Sequence, residues 1–139
     1  MTKLEKLHQT AFDENIAVND FSFSAEKKSM CMYHNGFKTI ALNKSAISSP
    51  AEETTVLAEE VGHFKTNALY PVGTTANAPL AKANRLKAEA KAKRWAVEQY
   101  LPAAEIQKAL NAACADDSEI AEYCGVTVEF VQKAFQLYK

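Results

Sequence analysis

The stretch that decides the fold is Ser49-Pro50-Ala51-Glu52-Glu53-Thr54-Thr55-Val56-Leu57-Ala58-Glu59-Glu60-Val61-Gly62-His63-Phe64-Lys65. Ser49 carries the side-chain oxygen of a helix N-cap, Pro50 suits the first helical position, and Glu52 stands three residues on, as in a capping box. The pattern predicts a helix over 50–65, with Val56 and Val61 among its core contacts. Residues four apart on a helix lie on one face, so Glu59 and His63 can both turn toward one ion. Glu60 follows about 100° round the helix. Gly62 is a poor helix former, and it fits where something approaches the backbone closely.

N-terminal to this helix the pattern changes. Leu4, Leu7, Ala11 and Phe12 recur at helical spacing and predict an amphipathic helix over 3–13. Ile16-Ala17-Val18 and Phe21-Ser22-Phe23 make one short strand or two. Met30-Cys31-Met32-Tyr33-His34 and Phe37-Lys38-Thr39-Ile40-Ala41-Leu42 flank Asn35-Gly36, a pair that tolerates positive φ at both positions and so predicts a two-residue hairpin turn. C-terminal to it, residues 66–79 read as a loop rich in Thr, Asn, Pro and Gly. A long helix over 80–100 stops before Pro102, and shorter helices follow at about 103–114, 118–124 and 128–138. Gly125 ends one of these and Thr127 caps the next. The order predicts an α+β domain spanning 1–139: an N-terminal helix and a small antiparallel sheet with its hairpin (1–48), then site helices (49–102), then C-terminal helices (103–139).

The bulk properties exclude several classes. A chain of 139 residues can bury a core without disulfides or structural metals, and 47% hydrophobic with 24% charged residues is the composition of a globular protein. A net charge of -1 gives no reason to expect nucleic acid or an anionic membrane as a partner. Three well-separated cysteines (Cys31, Cys114, Cys124) suit reduced thiols and small core positions. The N-terminus lacks the apolar core of a signal peptide and no run is long enough to span a membrane. The expected location is therefore cytoplasmic.

Glu59-Glu60-x-x-His63 follows the geometric logic of H-E-x-x-H peptidases, with two ligands on one face and a glutamate beside them to act on a water. Taken alone it also reads as a solvated acidic face with one partly buried histidine. The 80–100 helix adds weight to the first reading. Residues 82–94 hold six cations (Lys82, Arg85, Lys87, Lys91, Lys93, Arg94) and a single acid, Glu89. Glu89 shares a face with Leu86, Ala92 and Ala96, and small residues there allow a second helix to pack closely. Glu89 can make surface pairs with Arg85 and Lys93, or it can serve as a third ligand beside an open position for water.

Leu57-Ala58-Glu59-Glu60-Val61-Gly62-His63 together with Glu89-Ala90-Lys91-Ala92-Lys93-Arg94-Trp95-Ala96, closing at Leu101-Pro102, resembles the ImmA/IrrE family of metallopeptidases. The family pattern is a helix with H-E-x-x-H, then E-x-x-A-x-x-[FW]-A and a Leu-Pro end. Among its members the chain looks most similar to prophage-encoded proteins with E-E-L-G-H. The resemblance implies a zincin-like metal-binding helix with Glu59, His63 and Glu89 as metal ligands and Glu60 as the catalytic base. It implies a divalent metal, zinc first, and a metallo-endopeptidase whose protein substrate is a phage or mobile-element repressor. Glu59 stands where most members have histidine. Two carboxylates and one imidazole neutralise the ion's charge, acidify its water less, and narrow the preference for zinc over manganese or iron.

The alternative is a metallopeptidase-like fold without activity, a protein-binding module that acts on the repressor by contact. A DNA-binding reading of 118–138 fails on charge, since that region is acidic. Those helices are better read as a packing unit over the 50–65 helix or as a surface that docks the protein substrate. His34 and Tyr70 are weaker candidates for an auxiliary role toward the substrate, and Trp95 reads as core.

Overall fold

The computed structural model describes residues 1–21, 27–67 and 79–139, and four of its α-helices begin at side-chain caps. Thr2 accepts the Glu5 amide and starts α1 (Lys3–Asp13), whose Leu7 and Ala11 are buried. Asn15, at φ 58°, turns the chain into β1 (Ile16–Asp20). β2 (Ser29–His34) and β3 (Phe37–Leu42) form the expected hairpin, with Asn35 at φ 49° and Gly36 at φ 83°. Both signs are those of the mirror-image turn that matches strand twist.

The sheet is mixed, where the sequence pattern led us to expect an antiparallel one. Its order is β1-β3-β2, and β1 runs parallel to β3 from Ile16 opposite Lys38 to Asp20 opposite Leu42. The reason lies in burial. Ile40, Ala41 and Leu42 are all buried, so β3 is the strand that profits from neighbours on both sides, while β2 ends in exposed Tyr33 and His34. The end of β1 (Asp20) and the start of β2 (Ser29) both stand opposite Leu42, so β1 runs toward the end where β2 begins, and beside β3 that direction is parallel. Phe21 is exposed and outside the strand, although its amide still bonds to Leu42 O. The rest of the expected 21–23 segment, and most of the 66–79 loop, lie outside the described residues.

After a single 3-10 turn (Lys44–Ala46), Ser49 accepts the Glu52 amide at 3.1 Å and opens α2 (Pro50–Lys65). Glu52 reaches back as in a capping box but takes the amide of Ser48, at 3.0 Å, and its other oxygen pairs with Lys28. α2 touches α1, β2, β3 and the long helix α3 (Pro79–Tyr100), and it buries Leu57, Ala58 and Val61 completely. Burying one leucine contributes about 2 kcal/mol. Ala92 and Ala96 of α3 are fully buried, as a close helix contact requires, but Leu86 is 62% exposed and lies off that contact. Trp95 is partly buried and packs edge-on against Tyr100.

Pro102 follows α3 and precedes α4 (Ala103–Asn111), which stops short of the expected 114 because Ala113 turns left-handed at φ 67°. Asp116 accepts the Glu119 amide and starts α5 (Asp117–Cys124). Gly125, at φ 71°, ends α5, and Thr127 caps α6 (Val128–Leu137) by accepting the Phe130 amide. One apolar cluster joins α1, β1, β3, α2, the C-terminal half of α3, and α4 to α6. Among the described residues no helix is long and apolar enough to cross a membrane.

Thr127 also meets Thr55 of α2, hydroxyl to hydroxyl at 3.4 Å. Thr127→Ala removes a cap and a tie between α6 and α2, and should cost about 1–2 kcal/mol. Urea unfolding checks this, and a midpoint equal to wild type would show that the cap contributes nothing.

Candidate metal centre

α2 and α3 meet where α2 has Gly62, without a side chain, and α3 has Ala92, with only a methyl. A Cβ on Gly62 would lie 2.5 Å from the Ala92 carbonyl oxygen and 3.2 Å from the Ala92 Cα. The next residue, His63, thereby faces α3 one turn back from Ala92, and its Nε2 lies 3.5 Å from Glu89 Oε1. His63 is 2% exposed and the Glu89 side chain 35%, so the pair leads from the core to the surface. Two of the site residues expected from sequence are brought together, and the glycine and the small face of α3 are the reason.

Glu60 lies beside them. Its Oε2 is buried and has no hydrogen-bond partner among the described residues. Burial raises its proton affinity first of all; the charges of Glu89 and Glu59 push the same way, while His63 and Lys27 oppose. The carboxyl is pushed up to about 7. A group with that affinity can both take and return a proton near neutral pH.

Glu59 goes elsewhere. Its Oε1 lies 3.3 Å from Lys133 Nζ on α6, with the two side chains 20% and 35% exposed. It still adds its charge to the field on Glu60. Among the described residues no three His, Cys, Asp or Glu side chains are grouped as a metal ion requires. The four-residue spacing sets a common face, but the reach of a lysine from a distant element decides where the carboxylate settles.

Cys31 was read from sequence only as a small core residue. It is partly buried, and its thiol faces the site: burial, then the charges of Glu60 and Glu89, push it up to about 12. It is therefore a neutral thiol, not a nucleophile. The one signal in the sequence is cross-strand pairing. Cys31 stands opposite fully buried Ile40 in the hairpin and so takes the inward face.

His34 is exposed at the hairpin end, 3.2 Å from the Asn35 amide, and takes no part. His8 lies 3.8 Å from Glu53 on the α1–α2 boundary. Tyr70 lies outside the described residues. Of the C-terminal helices α6 reaches α2, through Thr127 on Thr55 and Lys133 on Glu59, and it packs on α5 and α3.

The donor types, though not gathered into a three-ligand cluster among the described residues, are ones a divalent cation accepts. An imidazole, the Glu89 carboxylate beside it and a buried carboxylate oxygen without a partner make a nitrogen-and-oxygen set. A buried oxygen left without a partner costs about 1–3 kcal/mol, and a neighbouring cation or water removes that cost.

No curated protein and no solved structure matches the chain at a significant level. The sequence pattern of the peptidase M78 family, described as the IrrE N-terminal-like domain, matches residues 12–136, and with the site helices, the buried glutamate and the His63–Glu89 pair all inside that span, the chain belongs to this family of metallopeptidases.

Proposed function

We propose that the chain is a metal-dependent endopeptidase of a phage or mobile element that cuts a protein substrate such as the element's repressor. The observation that carries this reading is Glu60: a buried carboxyl with a free oxygen, held at a near-neutral proton affinity beside a histidine–glutamate pair. His63 and Glu89 would hold the metal, zinc first, with Glu59 as third ligand once it leaves Lys133. Bound there, a divalent ion supplies a polarised peptide carbonyl and a more acidic water. Glu60 takes the proton of the attacking water on its free oxygen and returns it to the leaving amine. The buried imidazole keeps its orientation because Gly62 and Ala92 fix the distance between the helices.

A second reading rests on the Glu59–Lys133 ion pair. If Lys133 keeps Glu59, the fold serves as a binding module that acts on the repressor by contact. Co-expression with the repressor encoded beside it separates the two. The first reading expects a cleaved repressor with wild type, an intact one with Glu60→Gln or His63→Ala, and stoichiometric metal in the purified protein. An intact repressor in a stable complex in every lane, with no metal bound, would sink it.

A further inference from the structure

Among the described residues, α3 leaves two cations without ion-pair partners at the edge of the site. Arg85 and Lys93 stand one turn before and one turn after Glu89, on the same stripe of the helix. Glu89 is their natural i,i+4 partner, yet it turns to His63. Among the described residues neither cation makes an ion pair; on α3 only Arg94 does, with Glu98. Both are half-buried, unlike Lys87, Lys91 and Arg94, which project from the opposite side of the helix and are exposed. The acids nearest the site turn toward other groups. Glu59 is matched by Lys133, Glu89 faces the imidazole, and Glu60 is buried. Across the site, exposed Lys27 adds a further positive charge that Glu60 feels.

We propose that Arg85 and Lys93 form a cationic rim that selects a protein segment carrying acidic side chains on either side of the stretch presented to Glu60. This rests on the reading of the site as one that takes a peptide chain. A guanidinium and an ammonium separated by two helical turns match acidic side chains several residues apart on an extended peptide, with the segment between them crossing Glu89. The recognition is electrostatic, so it shows as preference and salt dependence rather than as high affinity.

The test uses the Glu60→Gln chain and two fluorescein-labelled peptides of one sequence. One peptide carries two glutamates on each side of a central apolar tetrapeptide, and the other carries glutamines in their place. Fluorescence anisotropy should give the acidic peptide about tenfold tighter binding at low salt, shrinking to about twofold at high salt. Adding Arg85→Glu and Lys93→Glu should abolish the preference, whereas Lys87→Glu with Lys91→Glu, the same charge change on the far side, should leave it within about twofold. Equal binding of both peptides, or an equal loss from the far-side pair, overturns the proposal. Cleavage of the acidic peptide by metal-loaded wild type is read separately. Selective binding without cleavage removes the peptidase reading and leaves the rim standing; cleavage of both peptides at equal rates does the reverse.

Discussion

Gly62→Ala should lower the melting temperature by about 5–10 °C, although alanine is the better helix former. The added methyl meets the Ala92 carbonyl oxygen at 2.5 Å and the Ala92 Cα at 3.2 Å, and both are backbone. No rotamer change relieves such a contact, so α2 and α3 must separate. Overpacking of this kind costs about 2–4 kcal/mol, while the gain in helix propensity is about 1 kcal/mol. The net loss, about 1–3 kcal/mol, sets the expected shift. Ala92→Gly cannot rescue the variant, because the obstacle is not the Ala92 side chain. Separation also draws Glu89 away from His63, so on the proposed reading metal affinity should fall along with stability. A melting temperature at or above wild type would show that the helices do not touch at this point.

Glu60→Gln should abolish the proteolysis we propose and, in the metal-free protein, stabilise the fold at alkaline pH. The carboxyl's affinity in the fold is raised from 4.5 to about 7, so the folded state holds a proton that the unfolded state releases. That contribution is complete below the unfolded value and is lost as pH rises through about 7. Its full span corresponds to about 3 kcal/mol. Glutamine does not titrate, but its buried amide keeps part of the burial cost, so a gain of about 1–3 kcal/mol is expected at pH 8 and little at pH 4.5. Glu14 and Glu52 act in the opposite sense, since Lys65 and Lys28 respectively hold them below the usual range. They titrate alike in both proteins and cancel in the difference. Urea unfolding in chelator at several pH values reads it, and parallel curves for the two proteins would refute the buried, protonated state of Glu60.

The parts of this fold that rest on neighbours in sequence were legible in advance. Ser49, Thr127 and Gly125 marked helix ends because capping and left-handed turns are decided within four residues. Asn35-Gly36 fixed the hairpin for the same reason. Glu89 stood out as one acid among six cations, and Gly62 as a helix glycine in want of a close neighbour; the contact with Ala92 supplies it. What was hidden depends on distant partners. Lys133 is 74 positions from the glutamate it holds, and nothing in either local sequence announces the pair. Cys31 joins the site only because β2 lies against α2. The direction of β1 turned on which edge of the hairpin it met, a choice made by the burial of Ile40 to Leu42.

That strand order also constrains the route to the native state. β2 and β3 are joined by two residues and can zip from their turn, at little loss of chain entropy. β1 has no partner until β3 exists, because its own sequence neighbour β2 lies on the far edge. The parallel pair therefore closes a longer loop, over a hairpin already made, and brings α1 with it onto α2. The first twenty residues should accordingly dock last and let go first, their amides exchanging with solvent ahead of those in the hairpin.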